Sequence, residues 1–347
     1  MTDVVFCTTV TPGFEWEAAA LARNLRQVEG EDVRLEVYVA AESVATCEIT
    51  PSVTWLPASA LWLEDDEIRR MGLMLSGFEI ACLMKPRALH ATLQRNPAAV
   101  AVYLDTDVVV CRPVSTVVQD LSGVGLSRHT SALDPASFPL FAHAGLFNAG
   151  VVVCTHDAVD FPLWWDELCS RSASHPNVES DFDQRFLDWV PSRWPVTDLA
   201  KSGVNIGPWN VSEYIWSGGE NPKISDVDVV LFHVSDLRSG IPEDAPEEIT
   251  LLVEKFYSFR GPKPRVRTSP VPRVVRTMLR QRRRNRSSGR LRVRNRLFDA
   301  LKYSSVTFRD SFGVPLARWG APMLYRPLVA RDAPPVRRVT VGDDGLS

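Results

Sequence analysis

Asp105 and Asp107 stand one residue apart directly after an apolar stretch, in the run Val102-Tyr103-Leu104-Asp105-Thr106-Asp107-Val108-Val109-Val110. Two carboxylates at the end of a buried strand repel one another, and burial penalises their charge unless a cation neutralises it. A divalent ion does this. Oxygen donors suit Mg²⁺ or Mn²⁺, which would keep positions open for the oxygens of a diphosphate. An isolated Asp-X-Asp pair is also ordinary in solvated turns. His233 raises the metal reading, because it ends a second apolar stretch, 228–232, and offers a third donor if both stretches are strands that finish at one rim. The other five histidines, His90, His129, His143, His156 and His175, lack metal-ligand spacing and read as surface or core residues.

Bringing such residues together requires strands whose ends meet. Residues 4–10 form a short apolar and β-branched run, and 15–28 then show helical spacing through Trp16, Ala19, Ala20, Leu25 and Val28. The alternation over 33–39 predicts a second strand, whereas 65–93 is mainly helical, with Pro86 opening a new helix at its first turn. Residues 98–104 are continuously apolar, as a strand covered on both faces should be. Further strands are expected at 123–127, 146–154 and 227–233, and helices at 161–171 and 181–189. Strands interspersed with helices predict a layered α/β domain with a mostly parallel sheet. Ligands of such open sheets bind beyond the carboxyl ends of the strands, which puts 8–11, 105–107 and His233 near one rim.

The 347 residues suffice for one large domain plus an appendage, and 45% apolar with 23% charged residues excludes collagen-like, coiled-coil and wholly disordered chains. No apolar stretch approaches the roughly 20 residues of a membrane-spanning helix. The first seven residues lack the features of a secretion signal. Six cysteines are scattered without the close pairs of zinc or redox motifs, so reduced thiols in a cytoplasmic protein are expected. The net charge of −3 conceals a division: residues 260–296 hold fourteen arginines and one lysine with no Asp or Glu, so this run carries +15 and the rest −18. It begins Pro-rich, with Gly261-Pro262-Lys263-Pro264 and then Pro270 and Pro272, as a linker does. The expected division is therefore a domain over 1–259 and a basic, Arg-rich extension over 260–347, partly helical or disordered.

Asp105-Thr106-Asp107, Phe147-Asn148-Ala149-Gly150-Val151, Asp183-Gln184 and the late His233 occur in the order seen in GT-A fold glycosyltransferases, and the chain resembles family 8 of these. Glycogenin and bacterial lipopolysaccharide galactosyltransferases are its familiar members. Leu83-Met84-Lys85-Pro86, Asp183-Gln184-Arg185-Phe186-Leu187-Asp188 and Asn205-Ile206-Gly207-Pro208-Trp209-Asn210 look like bacterial relatives from glycan clusters. The resemblance covers residues 3–240; nothing beyond Arg260 has a counterpart.

The resemblance implies a GT-A fold and a nucleotide-sugar donor, most often a UDP-sugar, with Mn²⁺ or Mg²⁺ bound by Asp105, Asp107 and His233. It further implies that Thr8, Thr9 and Val10 hold the base and ribose, that Lys85 lies near the diphosphate, and that Asp105 and Thr106 face the donor. Asn148, Ala149 and Gly150 would meet the sugar, Asp183 would orient donor or acceptor, with Asp181 a substitute for it, and Gln184 would lie near the anomeric face. A retaining outcome is implied, with front-face and double-displacement courses both open. One departure stands out: many members have a glycine and then Lys-Pro-Trp after the histidine, whereas here the run is Val234-Ser235-Asp236-Leu237-Arg238-Ser239-Gly240. Arg238 is the candidate replacement for the missing lysine, with a different donor geometry.

The expected partners are a glycan or lipid-linked acceptor and, for residues 260–296, an anionic membrane surface at the inner face of the cell membrane. Val274, Val275, Met278 and Leu279 would form an apolar stripe among the arginines of an interfacial helix. Few aromatics interleave this run, so nucleic acid is not the expected partner. Two other classes compete. A degenerate transferase domain could act only as a membrane- or nucleic-acid-binding module. A nucleotidyltransferase would need a Gly-rich phosphate loop after the first strand, which 8–15 lacks.

Overall fold

The apolar runs pair into a seven-stranded sheet of order β3-β2-β1-β4-β7-β6-β8. Its strands are Val4–Val10 (β1), Arg34–Val39 (β2), Val53–Pro57 (β3), Val100–Leu104 (β4), Val124–Arg128 (β6), Phe147–Cys154 (β7) and Val196–Asp198 (β8). Only β7 runs against its neighbours; every other pairing in the sheet is parallel. The computed structural model describes residues 2–42, 44, 52–64, 67, 68, 71, 72, 75–131, 144–174, 183–239, 241, 242, 244–260, 336 and 337. Asp181, His143, His175, Cys47 and all of the basic run except Arg260 lie outside them. The mostly parallel α/β sheet is the expected architecture.

Both faces of the sheet are covered, and the period of two along each strand decides which side chain goes where. On β4, Ala101 and Tyr103 face the side packed by α2 (Gly77–Arg95) and α3 (Asp160–Ser174), while Val100, Val102 and Leu104 face the side packed by α1 (Glu15–Glu29). The five cysteines among the described residues are free. No helix of the described residues is long and apolar enough to cross a membrane.

A smaller sheet, β5-β13-β9, stands beside the first. It consists of Val108–Val110 (β5), Leu231–His233 (β13) and Val204–Ile206 (β9), and α4 (Glu247–Arg260) packs on its apolar residues. Trp216–Ser217, Lys223–Ile224 and Val227–Asp228 (β10 to β12) form a separate antiparallel meander, and Ile241–Pro242 (β14) pairs with Val336–Arg337 (β15).

Four local expectations need correction. Strand β3 was not anticipated. Pro86 opens no new helix: α2 starts at a capping box made by Ser76 and Glu79 and runs through the proline. Burial of Cys82, Leu83, Met84, Ala88 and Leu89, at roughly 1.5–3 kcal/mol for each large apolar side chain, offsets an interior proline cost of about 3 kcal/mol. The 181–189 helix is a 3₁₀ segment over Gln184–Ser192, in which the buried Leu187 and Val190 recur at the three-residue spacing of that helix. The 227–233 strand divides between two sheets. Its break falls where Val230 and Leu231 both bond the Gly203 carbonyl, at a glycine whose added Cβ would meet the Asp228 carbonyl oxygen at 2.0 Å.

Candidate functional site

Backbone ladders bring the acidic pair to its neighbours. Asp105-Thr106-Asp107 is the link between β4 of the large sheet and β5 of the small one. On one side, Leu104 pairs with Val151, and Asp105 N–H donates to the Gly150 carbonyl at 2.8 Å. On the other, His233 pairs with Val108, and Val234 N–H donates to the Asp107 carbonyl at 2.9 Å. Gly150 and His233, 83 positions apart in the chain, thereby meet at one rim. A Cβ on Gly150 would lie 2.3 Å from Cε1 and 2.5 Å from Nδ1 of His233, so the room left by this glycine is filled by the imidazole.

One donor atom each from Asp105, Asp107 and His233 lie within 4.8 Å of one another, the only such group among the described residues. His233 Nε2 is 3.0 Å from Asp107 Oδ1. Burial alone raises the Asp107 carboxyl, yet His233, by charge and hydrogen bond, and then Arg238 hold it well below the usual carboxylate range. For His233, burial opposes protonation, and Asp107 outweighs it, raising the imidazole above its ordinary value. Mixed carboxylate and imidazole donors at this spacing fit a small divalent ion of the Mn²⁺ or Mg²⁺ kind.

Cations flank the acids on both sides. Lys85, 5% exposed on α2, has Nζ 3.1 Å from each Asp105 oxygen and 3.3 Å from the Ala149 carbonyl, and lies over the Tyr103 ring. Asp183 Oδ2 is 2.9 Å from the same nitrogen, at ion-pair distance but off the hydrogen-bond axis. Burial pulls the Lys85 ammonium down, but Asp105 and Asp183 hold it well above its ordinary range, so it stays charged. Across the site, Arg238 reaches from the turn after β13 to Asp107 at 3.7 Å and to Glu17 at 3.3 Å. Buried Glu17 also accepts from Thr106 at 3.1 Å and pairs with Arg260 at 2.5 Å.

Asn148, Ala149 and Gln184 form the wall beside Lys85. Gln184 Oε1 accepts from Asn148 Nδ2 at 3.2 Å and from Ala149 N–H at 3.1 Å, and its Nε2 donates to the Ala144 carbonyl at 2.9 Å. Buried His129 adjoins Asn148, and burial lowers its imidazole to about 4. Of the β1 residues, Thr9 shares a hydrogen bond with the Tyr103 hydroxyl at 2.9 Å, which donates to Asp105 Oδ1 at 3.0 Å. Thr8 and Val10 have buried side chains, with Val10 in the core under α1.

Lys85, Asp105, Thr106, Asp107, Asn148, Ala149, Gly150, Asp183, Gln184 and His233 thus converge, Thr9 joins through Tyr103, and the Thr8 and Val10 side chains stay inside. Sequence reasoning missed Glu17 and Tyr103, read His129 as a surface or core residue, and quoted Asn205 only as part of a resembling motif without a role. Tyr103 was within reach, since the strand period puts it on the face of Asp105. Glu17 shows nothing but an acid in a first helical turn.

No protein-family model matches the chain. It is 25% identical over 251 residues to the uncharacterized protein YfnF of Bacillus subtilis (strain 168), covering 67% of this chain and 81% of that one. Among solved structures it is similar to the bifunctional glycosyltransferase WbbM in apo form, at 13% identity and a TM-score of 0.46 over 76% of this chain and 50% of the other. This chain therefore spans half the length of WbbM. A second, the galactosyltransferase LgtC in complex with donor and acceptor sugar analogues, gives 15% identity and a TM-score of 0.44 over 79% and 99%. A third is mouse xyloside xylosyltransferase 1, apo form, at 14% identity and a TM-score of 0.40 over 68% and 99%.

Proposed function

We propose that the chain is a metal-dependent glycosyltransferase of GT-A type that moves a sugar from a nucleotide-sugar, a UDP-sugar in this reading, to a glycan or lipid-linked acceptor with retention. The observation that carries the proposal is the convergence of Asp105, Asp107 and His233 donor atoms within 4.8 Å at the carboxyl rim of the sheet, between the cations of Lys85 and Arg238. These three residues would hold Mn²⁺ or Mg²⁺, which would supply Lewis acidity toward a departing diphosphate.

The chain's own groups support the rest. Lys85 and Arg238 present fixed positive charge where diphosphate oxygens must sit, and this charge counts for more as the leaving group becomes more anionic. Asn148 carries an amide that suits sugar hydroxyls. Three bonds hold the Gln184 amide, which favours a fixed wall near the anomeric face over a mobile group. Asp183, tied to Lys85, orients the donor or acceptor.

The test is release of free nucleotide from a panel of UDP-, GDP- and dTDP-sugars with Mn²⁺, Mg²⁺ or a chelator. Metal-dependent turnover with one donor class is expected; neither turnover nor binding anywhere in the panel sinks the reading. Residues 260–296 are proposed in addition as a peripheral anchor on an anionic membrane surface at the cytoplasmic face, supported by their charge of +15 and apolar stripe. Full-length protein should pellet better with anionic than with neutral vesicles at low salt, and equal pelleting rejects the anchor.

A further inference from the structure

The amide hydrogen bonds around His233 can run in only one sense. They start at backbone groups whose roles are fixed: Ala149 N–H must donate, at 3.1 Å to Gln184 Oε1, and the Ala144 carbonyl must accept, at 2.9 Å from Gln184 Nε2. Gly150 N–H likewise requires Asn148 Oδ1 as its acceptor at 2.8 Å, which leaves Asn148 Nδ2 to donate to Gln184. Asn205 Nδ2 then donates to Asn148 Oδ1 at 2.9 Å, so the oxygen of Asn205 is the atom that faces His233 Nδ1 at 3.1 Å. An amide oxygen only accepts. Nδ1 therefore carries a proton, whereas Nε2, 3.0 Å from the Asp107 carboxylate, which also only accepts, holds its proton while no ion is bound and is the nitrogen that must give it up to a metal.

The backbone at Asn205 is shaped for this contact. In the pairing of β9 with β13, Val204 lies opposite Leu231 and Ile206 opposite Phe232, so Asn205 is an extra residue in a bulge. Its φ is +63°, in the left-handed region that Asn tolerates better than most residues, and its side chain is fully buried. Trp209 meets the His233 ring edge-on with centroids 5.2 Å apart, and Gly150 leaves no spare room on another side, so the ring is held against rotation.

We propose that Asn205 is a positioning residue of the candidate metal site: it keeps the His233 proton on Nδ1 and so presents Nε2 to the ion. Only the second half rests on the metal-binding reading; the first concerns hydrogen bonds within the protein.

The experiment uses the full chain labelled with ¹⁵N-histidine, His233 signals being assigned by their loss in His233→Gln. The tautomer is read throughout in a metal-free Asp107→Asn background, where a side-chain amide that can donate to Nε2 replaces the carboxylate that holds a proton there; with His233 neutral the proton is expected on Nδ1, and a proton on Nε2 alone overturns the proposal whatever any other variant does. Asn205→Gly removes the side chain without straining the positive φ, and Asn205→Asp keeps an acceptor at Nδ1. Free Mn²⁺ in the presence of UDP is followed by electron paramagnetic resonance. Asn205→Gly should lose the tautomer preference and bind Mn²⁺ about tenfold more weakly, while Asn205→Asp should keep the tautomer and stay within about threefold of wild type. A natively folded Asn205→Gly with the wild-type tautomer, or with wild-type Mn²⁺ affinity, overturns it. Asp107→Asn separates the two readings: if it holds Mn²⁺ as well as wild type, the metal assignment fails while the tautomer spectrum still decides the role of Asn205.

Discussion

Removing the Lys85 ammonium should be among the most damaging single changes to the stability of this domain. Lys85 and Asp183 are 5% and 4% exposed, and the nitrogen lies 2.9 Å from Asp183 and 3.1 Å from both oxygens of Asp105. Lys85→Met keeps most of the packed stem and deletes the charge, leaving a buried Asp183 carboxylate beside a second acid. Breaking a buried pair in this way costs about 3–5 kcal/mol. Asp105 has a side chain 24% exposed, so water screens its share and Asp183 bears most of the loss. Asp183→Asn should cost less, about 1–2 kcal/mol, because Lys85 keeps Asp105 and the Ala149 carbonyl. The double variant removes both ends of the pair and should fall short of additivity by on the order of 2 kcal/mol. The deficit of Lys85→Met should shrink on acidification, since an isolated buried carboxyl takes up its proton more readily folded than unfolded. Urea denaturation followed by circular dichroism measures all four species. Single effects that add to within about 0.5 kcal/mol would refute the claim that these charges are coupled.

Gly150→Ala drives a Cβ to 2.3 Å from the His233 ring, and should cost about 1–3 kcal/mol by overpacking and weaken Mn²⁺ binding; unchanged denaturation and unchanged Mn²⁺ titration together contradict the geometry. Burial lowers His129 from 6.5 to about 4. As pH falls, the unfolded chain takes up that proton first, so stability is lost between those two values, by on the order of 3 kcal/mol, and His129 adds no slope above them. His129→Gln should flatten this part of the stability curve, and an unaltered slope rejects the assignment. Asp107→Asn should abolish nearly all metal-dependent turnover, whereas Gln184→Ala should slow transfer with UDP affinity largely kept. Calorimetry with UDP and Mn²⁺ separates the two variants, and equal loss of UDP binding in both speaks against Gln184 on the sugar side.

The large sheet was legible because β1, β4 and β7 are buried on both faces and so read as dense apolar runs, while β2 declares itself by alternation. Strand β3 escaped notice because Val53–Pro57 is only partly buried, ends in proline and is five residues long at the sheet edge. Within the site, the sequence pointed to residues at strand ends. It could not point to Glu17, nor to a role for Asn205, because their importance comes from partners remote in the chain. Glu17 meets Thr106, Arg238 and Arg260, and Asn205 meets Asn148 and His233, contacts that no local sequence pattern displays. The Pro86 error has a different origin: a proline rule for isolated helices gives way where a covering sheet rewards a continuous helix.

Arg260 is where the folded domain hands over to the basic run, and its surroundings fix that point in space. Its guanidinium stacks 4.3 Å from the Phe256 ring and 4.7 Å from that of Trp16, and pairs with Glu17, while Arg23 clamps the preceding Phe259 carbonyl at 2.6 Å and 3.1 Å. Glu17 leads through Arg238 to Asp107, so the point of departure is three ion pairs from the acidic rim. The run that follows therefore starts from a peg driven in beside the site. A fully extended chain gains roughly 3.3–3.6 Å per residue, so a surface gripped ten residues along can be no more than about 35 Å from the peg. On the proposed membrane anchor, the position of the grip along the run would then set how far the candidate site can stand from the surface.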